Sequence, residues 1–251
     1  MQTIFPINSL AASICHLLGI STSLKRNGNA LLPFDYTKKP DRLCLITVDS
    51  LGLSLINSEN TPFINGKFEK KKLVLESEKP CFTAVNFVSM ASGMKYNEHK
   101  ISKKNQEIHC DTFLDIMKKC ALKTCLISYK NSTLLNLFAQ KAKTIKENYM
   151  PQDKYTADLI FEELNRREYD FIWGHFMDLD KTGHRSGPQS EDTKKVIKDI
   201  DSNLKEIALL CKKNNYMLII NSDHGQHTTE KGYGIHDGSH ENDVYVPLIV
   251  I

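Results

Sequence analysis

The chain has 251 residues, of which 41% are hydrophobic, 25% charged and 8% aromatic, with 33 Lys and Arg against 30 Asp and Glu. That composition excludes a disordered tail, a collagen-like repeat and a coiled coil, and it leaves room for one sizeable core. A net charge of +3 without a dominant basic stripe gives no reason to expect binding to a nucleic-acid duplex.

The opening Met1-Gln2-Thr3-Ile4-Phe5-Pro6 lacks the basic region of a signal peptide, and no window reaches the roughly 18 apolar residues of a membrane span. Seven cysteines stand at irregular spacing without a Cys-x-x-Cys pair, which suits reduced thiols better than a disulfide framework. A cytoplasmic protein with no membrane association is the expectation. Residues 21–41, rich in Ser, Lys, Asn and Pro, read as a surface excursion that closes an N-terminal extension over 1–41.

Leu43 to Val48 is an apolar run that predicts a buried strand ending at Asp49. Asn86 to Ala91 reads as helical, and Thr112 to Leu122 carries Phe113, Ile116, Met117 and Cys120 at helical spacing before a strand at Thr124 to Ser128. Residues 131–154, with Lys141, Lys143, Lys146 and Lys154, read as a small lid or insertion. An amphipathic helix over Tyr155 to Arg167 precedes a strand that begins Phe171-Ile172-Trp173. A long helix over Glu191 to Lys213, with a stripe at Val196, Ile200, Leu204 and Ile207, leads to strands at Tyr216 to Asn221 and Val244 to Ile251. Strands alternating with helices predict an α/β fold with a largely parallel sheet in a single domain spanning 1–251.

In such folds functional groups collect where strands end. Asp49 follows one strand, Asp178 and Asp180 follow another, and Asp223-His224 follow a third. Three acidic strand ends on one sheet edge would repel one another strongly without cations. Asp180-Lys-Thr-Gly-His184 and Asp223-His224-Gly225 each set an oxygen and a nitrogen donor on a short turn. Mixed carboxylate and imidazole donors suit Zn²⁺ or Mn²⁺ better than Mg²⁺ or Ca²⁺. A lone Asp at a strand end is ordinarily a cap or turn residue, and a lone His is ordinarily a surface or core residue. It is their joint pattern that points to metal.

Taken in order, Val48-Asp49-Ser50, Thr83-Ala-Val-Asn86 leading to Gly93, Asp180-x-x-Gly-His184, Asp223-His224-Gly225 and a histidine before Val246-Pro247-Leu248 resemble the alkaline phosphatase superfamily. The likeness covers about residues 42–251 and is greatest to the branch of nucleotide pyrophosphatases and type I phosphodiesterases. The resemblance implies a three-layer sandwich around a central, mostly parallel sheet, with a minimal cap. It also implies two divalent metal ions, zinc by family habit, with manganese compatible with the donors. Asp49, Asp223 and His224 would then hold one metal together with the nucleophile Thr83, and Asp180, His184 and His236 the other. Asp237 stands where glycine usually follows that histidine, which keeps His240 as a substitute. His227 falls outside the ligand set.

A threonine hydroxyl needs activation to act as a nucleophile at neutral pH. Thr83 near a helix N-terminus would gain a phosphate-binding environment, and Asn86, three residues on, is expected on the same face, donating its amide to a phosphate oxygen. Metals about 4 Å apart would divide an in-line displacement, one favouring the Thr83 alkoxide and the other the leaving oxygen. A phosphothreonine intermediate and net retention at phosphorus follow.

Sulfatases need Cys-x-Pro-x-Arg, whereas Cys81 here precedes Phe-Thr-Ala-Val. Monoester phosphatases of the superfamily add an arginine that is missing near Thr83, and the mutases carry an inserted domain for which 251 residues leave little room. The expected substrate is therefore a small phosphodiester or nucleotide. Phe82, Phe87 and Tyr129 are candidates to stack on its leaving group. A phosphomonoesterase or phosphonate hydrolase is the alternative, and a catalytically silent metal-binding protein is the alternative of another class. Oligomeric state is left open.

Overall fold

Alternation along the central strands decides the architecture. In β2 (Arg42–Val48), Leu43 and Leu45 enter one apolar core while Cys44, Ile46 and Val48 enter another, so both faces of the sheet need helical cover. The computed structural model describes residues 3–21, 24, 31–35, 37 and 39–251.

β2 is preceded by β1 (Thr3–Pro6) and α1 (Ser9–Leu17) and followed by α2 (Pro62–Lys71) and β3 (Leu73–Glu76). Then come α3 (Thr83–Ser92), α4 (Tyr96–His99), α5 (Phe113–Lys119), β4 (Thr124–Tyr129), α6 (Thr133–Phe138) and β5 (Thr144–Asn148). The chain continues with α7 (Asp153–Arg166), β6 (Phe171–Phe176), α8 (Asp178–Ser186), α9 (Glu191–Lys213) and β7 (Tyr216–Asn221). A small ribbon of β8 (His227–Thr228) and β9 (Gly234–Ile235) leads to α10 (Glu241–Val244) and β10 (Tyr245–Val250).

The main sheet has eight strands in the order β1-β3-β10-β7-β2-β6-β4-β5. Only β10 runs against its neighbours β3 and β7; the other pairings are parallel. This is the expected central, mostly parallel α/β sheet. One core joins the sheet to α1, α3, α5 and α6 around Trp173, which stacks on Phe87 with ring centroids 5.3 Å apart. The other joins it to α2, α7 and α9, where Ile197, Ile200, Leu204 and Ile207 are buried. Ile197, rather than Val196, completes the buried stripe of α9.

Residues ahead of β2 contribute an outer strand and a covering helix. Twelve of them, 1, 2, 22, 23, 25–30, 36 and 38, lie outside the described residues, and with them nearly half of the expected surface excursion. Leu24, Leu32 and Phe34 of that stretch are buried in the first core, as their apolar side chains require. Residues 131–154 fold as α6, a short 3-10 turn and β5, the outermost strand beside β4.

Neighbouring β7, β2 and β6 are parallel, so their C-terminal ends lie side by side. Asp49, Asp223 and the start of α8 emerge there together.

Candidate metal centre and nucleophile

Asp49 extends the β2 row on the face of Leu43, Leu45 and Thr47, and its amide donates to Phe176 O at 2.9 Å. Asp223 leaves β7 on the same face. His224 Nε2 lies 3.3 Å from Asp49 Oδ1 and 3.3 Å from Asp223 Oδ2, and all three side chains are buried. Asp49 Oδ1 and both carboxylate oxygens of Asp223 have no hydrogen bond of normal geometry. Buried acceptors left in this state are costly unless a cation meets them.

On α8, Asp180 and His184 are four residues apart and share a helix face. His236, in the loop after β9, completes their group. His184 Nε2 and His236 Nε2 stand 3.0 Å apart, and lie 3.3 and 3.5 Å from Asp180 Oδ1. The outer nitrogens are already committed: His184 Nδ1 to Gly234 O at 2.8 Å, His236 Nδ1 to Cys81 O at 2.7 Å and His224 Nδ1 to Gly225 O at 3.0 Å. Carbonyls only accept, so each Nδ1 carries the proton and each Nε2 keeps its lone pair. That is the tautomer of a metal ligand with its supporting hydrogen bond. The donor set and the unpartnered carboxylate oxygens fit two divalent cations.

Electrostatics agrees. Burial, then repulsion from Asp223 and Asp180, pushes the Asp49 carboxyl well up. Burial and the field of Asp180 raise Asp223 to about 7. Burial alone would raise Asp180 too, yet the adjoining His184, His224 and His236 imidazoles hold it well below the usual carboxylate range. The same Asp180 contact raises His184, while burial lowers His224 and takes His236 to about 4. Ser50, whose φ of +68° is unusual for a residue other than glycine, donates to Asp180 Oδ1 at 2.9 Å and ties one group to the other. The His224 and His236 rings stack with centroids 3.8 Å apart.

Thr83 is the first residue of α3, and no side chain caps its opening turn. Its Oγ1 lies 3.2 Å from His224 Nε2, so the hydroxyl sits at the edge of the Asp49 group with the helix N-terminus behind it. Glycines make room for this packing. A Cβ on Gly183 would stand 1.9 Å from Gln226 Oε1, and one on Gly225 would stand 2.0 Å from the Asn242 carbonyl.

Seven of the expected residues thus converge: Asp49, Thr83, Asp180, His184, Asp223, His224 and His236. Asn86 does not join them. It is fully buried, its Oδ1 accepts from Glu78 N at 2.7 Å and its Nδ2 donates to Glu78 O and Phe82 O. Its amide is spent fastening the turn ahead of Thr83. His240 lies elsewhere, stacked on His227 at 5.2 Å with its Nδ1 accepting from Asn242 N. Asp178 exchanges caps with Asp153, whose carboxylate accepts from the amides of Met177 and Asp178. It lines a cleft of about 700 Å³ on the opposite face of α8 from the ligands. Phe82 is 41% exposed, and Phe87 belongs to the core.

Sequence reasoning missed Ser50, Gln226 and His175. Gln226 Nε2 donates to Asp180 Oδ1 at 2.7 Å, and His175 Nε2 lies 3.1 Å from Asp49 Oδ2. Ser50 and Gln226 sit one residue beyond Asp49 and two beyond His224. Proximity to the motifs was the signal for both, and His175 offered only its place in an apolar strand.

A further cluster, His227, Asp237 and Asp243, differs in kind. Both Asp243 oxygens are occupied, by His227 Nδ1 at 2.8 Å and Gly238 N at 3.1 Å, and the residue joins the loops that carry His224 and His236.

Residues 130–251 match the family model of the Metalloenzyme superfamily. The chain is 28% identical over 96 residues to ectonucleotide pyrophosphatase/phosphodiesterase family member 7 of Homo sapiens, covering 36% of this chain and 21% of that protein. It is 36% identical over 101 residues to the phosphopentomutase of Clostridioides difficile, covering 39% of this chain and 24% of that enzyme. A mutase therefore stands among the relatives despite the short chain. Among solved structures, an inactive threonine-to-alanine variant of murine ectonucleotide pyrophosphatase/phosphodiesterase 5 in complex with AMP superposes with a TM-score of 0.61. Identity there is 14%, over 76% of this chain and 59% of that one. Phosphonoacetate hydrolase from Sinorhizobium meliloti in complex with phosphonoformate gives a TM-score of 0.60 at 13% identity, over 78% of this chain and 59% of that one. The matches span about a quarter or less of these curated relatives, and about three-fifths of the structural neighbours.

Proposed function

From an alkaline phosphatase-like fold whose residues 130–251 carry the Metalloenzyme superfamily match, we propose a two-metal hydrolase that cleaves phosphodiester or nucleotide pyrophosphate bonds through a phosphothreonine intermediate. The observation that carries this reading is the placement of Thr83 Oγ1, 3.2 Å from His224 Nε2 and at the start of α3, beside two preformed Asp/His groups.

Divalent cations bound at these groups, zinc or manganese, would acidify the threonine hydroxyl and neutralise charge on the leaving oxygen. The chain supplies the rest. The opening amides of α3 attract the phosphate, and Glu78 and Phe82, held by Asn86, fix the turn that aims Thr83. Thr83 Oγ gives its proton to solvent and attacks phosphorus in line, the P–O bond to the ester oxygen breaks, and that oxygen departs with a proton from water. A second water then cleaves the phosphothreonine, inverting phosphorus again.

With Asn86 spent on the backbone, the preference for a diester rests on the AMP-bound neighbour and on Phe82. Phe82 is an exposed ring edge-on to His236 that suits an aromatic leaving group. The phosphonate-hydrolase neighbour and the mutase relative favour a second reading, monoester or phosphonate chemistry at the same centre. Cysteines that are mostly buried and irregularly spaced suit a reducing compartment such as the cytoplasm; among the described residues, no helix is long and apolar enough to cross a membrane.

The test compares the wild type with Thr83→Ala on bis(p-nitrophenyl) phosphate and p-nitrophenyl phosphate, with metal content measured alongside. The variant is expected to keep its metal and lose roughly a thousandfold or more in kcat. Surviving turnover would remove Thr83 as nucleophile, a monoester preference would move the chain to the second reading, and a wild type that neither binds metal nor turns over would leave the silent alternative.

A further inference from the structure

His175 takes no part in the proposed chemistry, yet it is a wholly buried imidazole beside it. It sits on β6 in register with Thr47 of β2, on the sheet face it shares with Trp173, and so beside the strand end that delivers Asp49. Its ring meets the Phe87 ring edge-on at 4.8 Å. Nε2 lies 3.1 Å from Asp49 Oδ2, while Nδ1 has no hydrogen-bond partner. A carboxylate oxygen only accepts, so the proton is on Nε2, and Nδ1 is left as a bare lone pair among apolar side chains. An aliphatic residue would fill this space without leaving such an acceptor unsatisfied. The imidazole therefore needs a reason to be there, and the one polar contact it makes supplies it.

We infer that His175 is a positioning residue for Asp49. By donating to Oδ2 it fixes the plane of the carboxylate and withdraws that oxygen from other partners. Oδ1 remains as the single ligand atom turned toward Asp223 and His224. It is this oxygen that lies 3.3 Å from His224 Nε2 and has no hydrogen bond of its own. The inference rests on the proposed reading of Asp49, Asp223 and His224 as a metal group. It adds an asymmetry, because His175 makes a hydrogen bond to Asp49 and none to the Asp180 group, which should feel its loss far less.

Zinc binding to the full chain, followed by competition with a chromophoric chelator, resolves the two equivalents. Asp180→Asn marks the one held by Asp180, His184 and His236. His175→Met fills the space without a donor, and His175→Gln places an amide N–H near the position of Nε2. The expected result is that His175→Met weakens the Asp49 equivalent by about 10- to 100-fold, leaves the other unchanged, and that His175→Gln restores most of the loss. Equal wild-type affinities for both equivalents in His175→Met would overturn the inference and make His175 a packing residue. Parallel weakening of both equivalents would do the same, since it reports a general loosening. If His175→Met does not fold, His175→Gln is compared with His175→Asn, whose amide falls short of Asp49; equal zinc affinities in those two overturn the inference. A failure of the underlying reading looks different: Asp49→Asn would then bind zinc as the wild type does, and the inference falls with it.

Discussion

The carboxylates at the strand ends predict opposite pH dependences of stability with and without metal. In the metal-free chain, burial and like-charge repulsion hold Asp223 at about 7 against an ordinary 3.8, with Asp49 raised beside it. A group whose pKa is raised by folding favours the fold while it is protonated in both states. That contribution is complete below the ordinary carboxylate value and is lost as pH rises through the folded value. Each pKa unit corresponds to about 1.4 kcal/mol, so Asp223 alone accounts for up to about 4 kcal/mol lost between about pH 4 and about pH 8. For a chain of this size that is a fall of about 10 °C in Tm. A bound divalent cation reverses the sign: it holds both carboxylates ionised, so the loaded protein loses stability toward acid as protons compete for the ligands. Scanning fluorimetry of chelator-treated and zinc-loaded protein across this range checks both slopes. A metal-free protein as stable at the alkaline end as at the acid end, or parallel slopes in the two forms, would refute the idea that unneutralised charge is concentrated here.

Glycine substitutions separate close packing from bulk flexibility. Gly225→Ala would bring a methyl to 2.0 Å from the Asn242 carbonyl and is expected to destabilise by about 2 kcal/mol or more. Gly66→Ala, in α2 with nothing within 4 Å, is expected to stabilise by about 0.5–1 kcal/mol. Urea midpoints decide both, and a Gly225→Ala variant as stable as the parent would show that α10 can shift away from Gly225. His236→Ala should weaken one metal equivalent by more than about a hundredfold, whereas His240→Ala should leave metal binding within about threefold of wild type. The reverse outcome in titration calorimetry would move the third ligand of that group to His240.

Much of the fold was legible because its central strands are short, mostly apolar runs closed by a polar residue. β7 and α9 fall at the expected Tyr216–Asn221 and Glu191–Lys213, since buried strands and long amphipathic helices leave strong period signals. β1 and β3 are four residues each, too short for a period to register, and their place in the sheet depends on pairing with one another and with β10. The direction of β10 was equally illegible. Tyr245–Val250 reads as a buried strand, but its antiparallel run between β3 and β7 is set by where α10 delivers the chain, a tertiary fact without a local code.

The site divides along the same line. Asp180 and His184 one helical turn apart, and Asp223 beside His224, were readable because sequence neighbours stay neighbours in space. Thr83 was readable as a helix start. Asn86 shows where that reasoning fails: three residues along a helix does place a side chain near the same face, but at the first turn that face is divided between the opening and the core. A carboxamide long enough to reach Glu78 and Phe82 satisfies the backbone there instead. His175 fails in the opposite sense. Within Phe-Ile-Trp-Gly-His-Phe it reads as one more buried strand position, and only the register of β6 against β2 brings its Nε2 to Asp49. The Asp/His clusters can thus be spelled out in local motifs, and Ser50 and Gln226 lie beside those motifs, whereas the contact of His175 with Asp49 comes from strands that meet only after the sheet has formed.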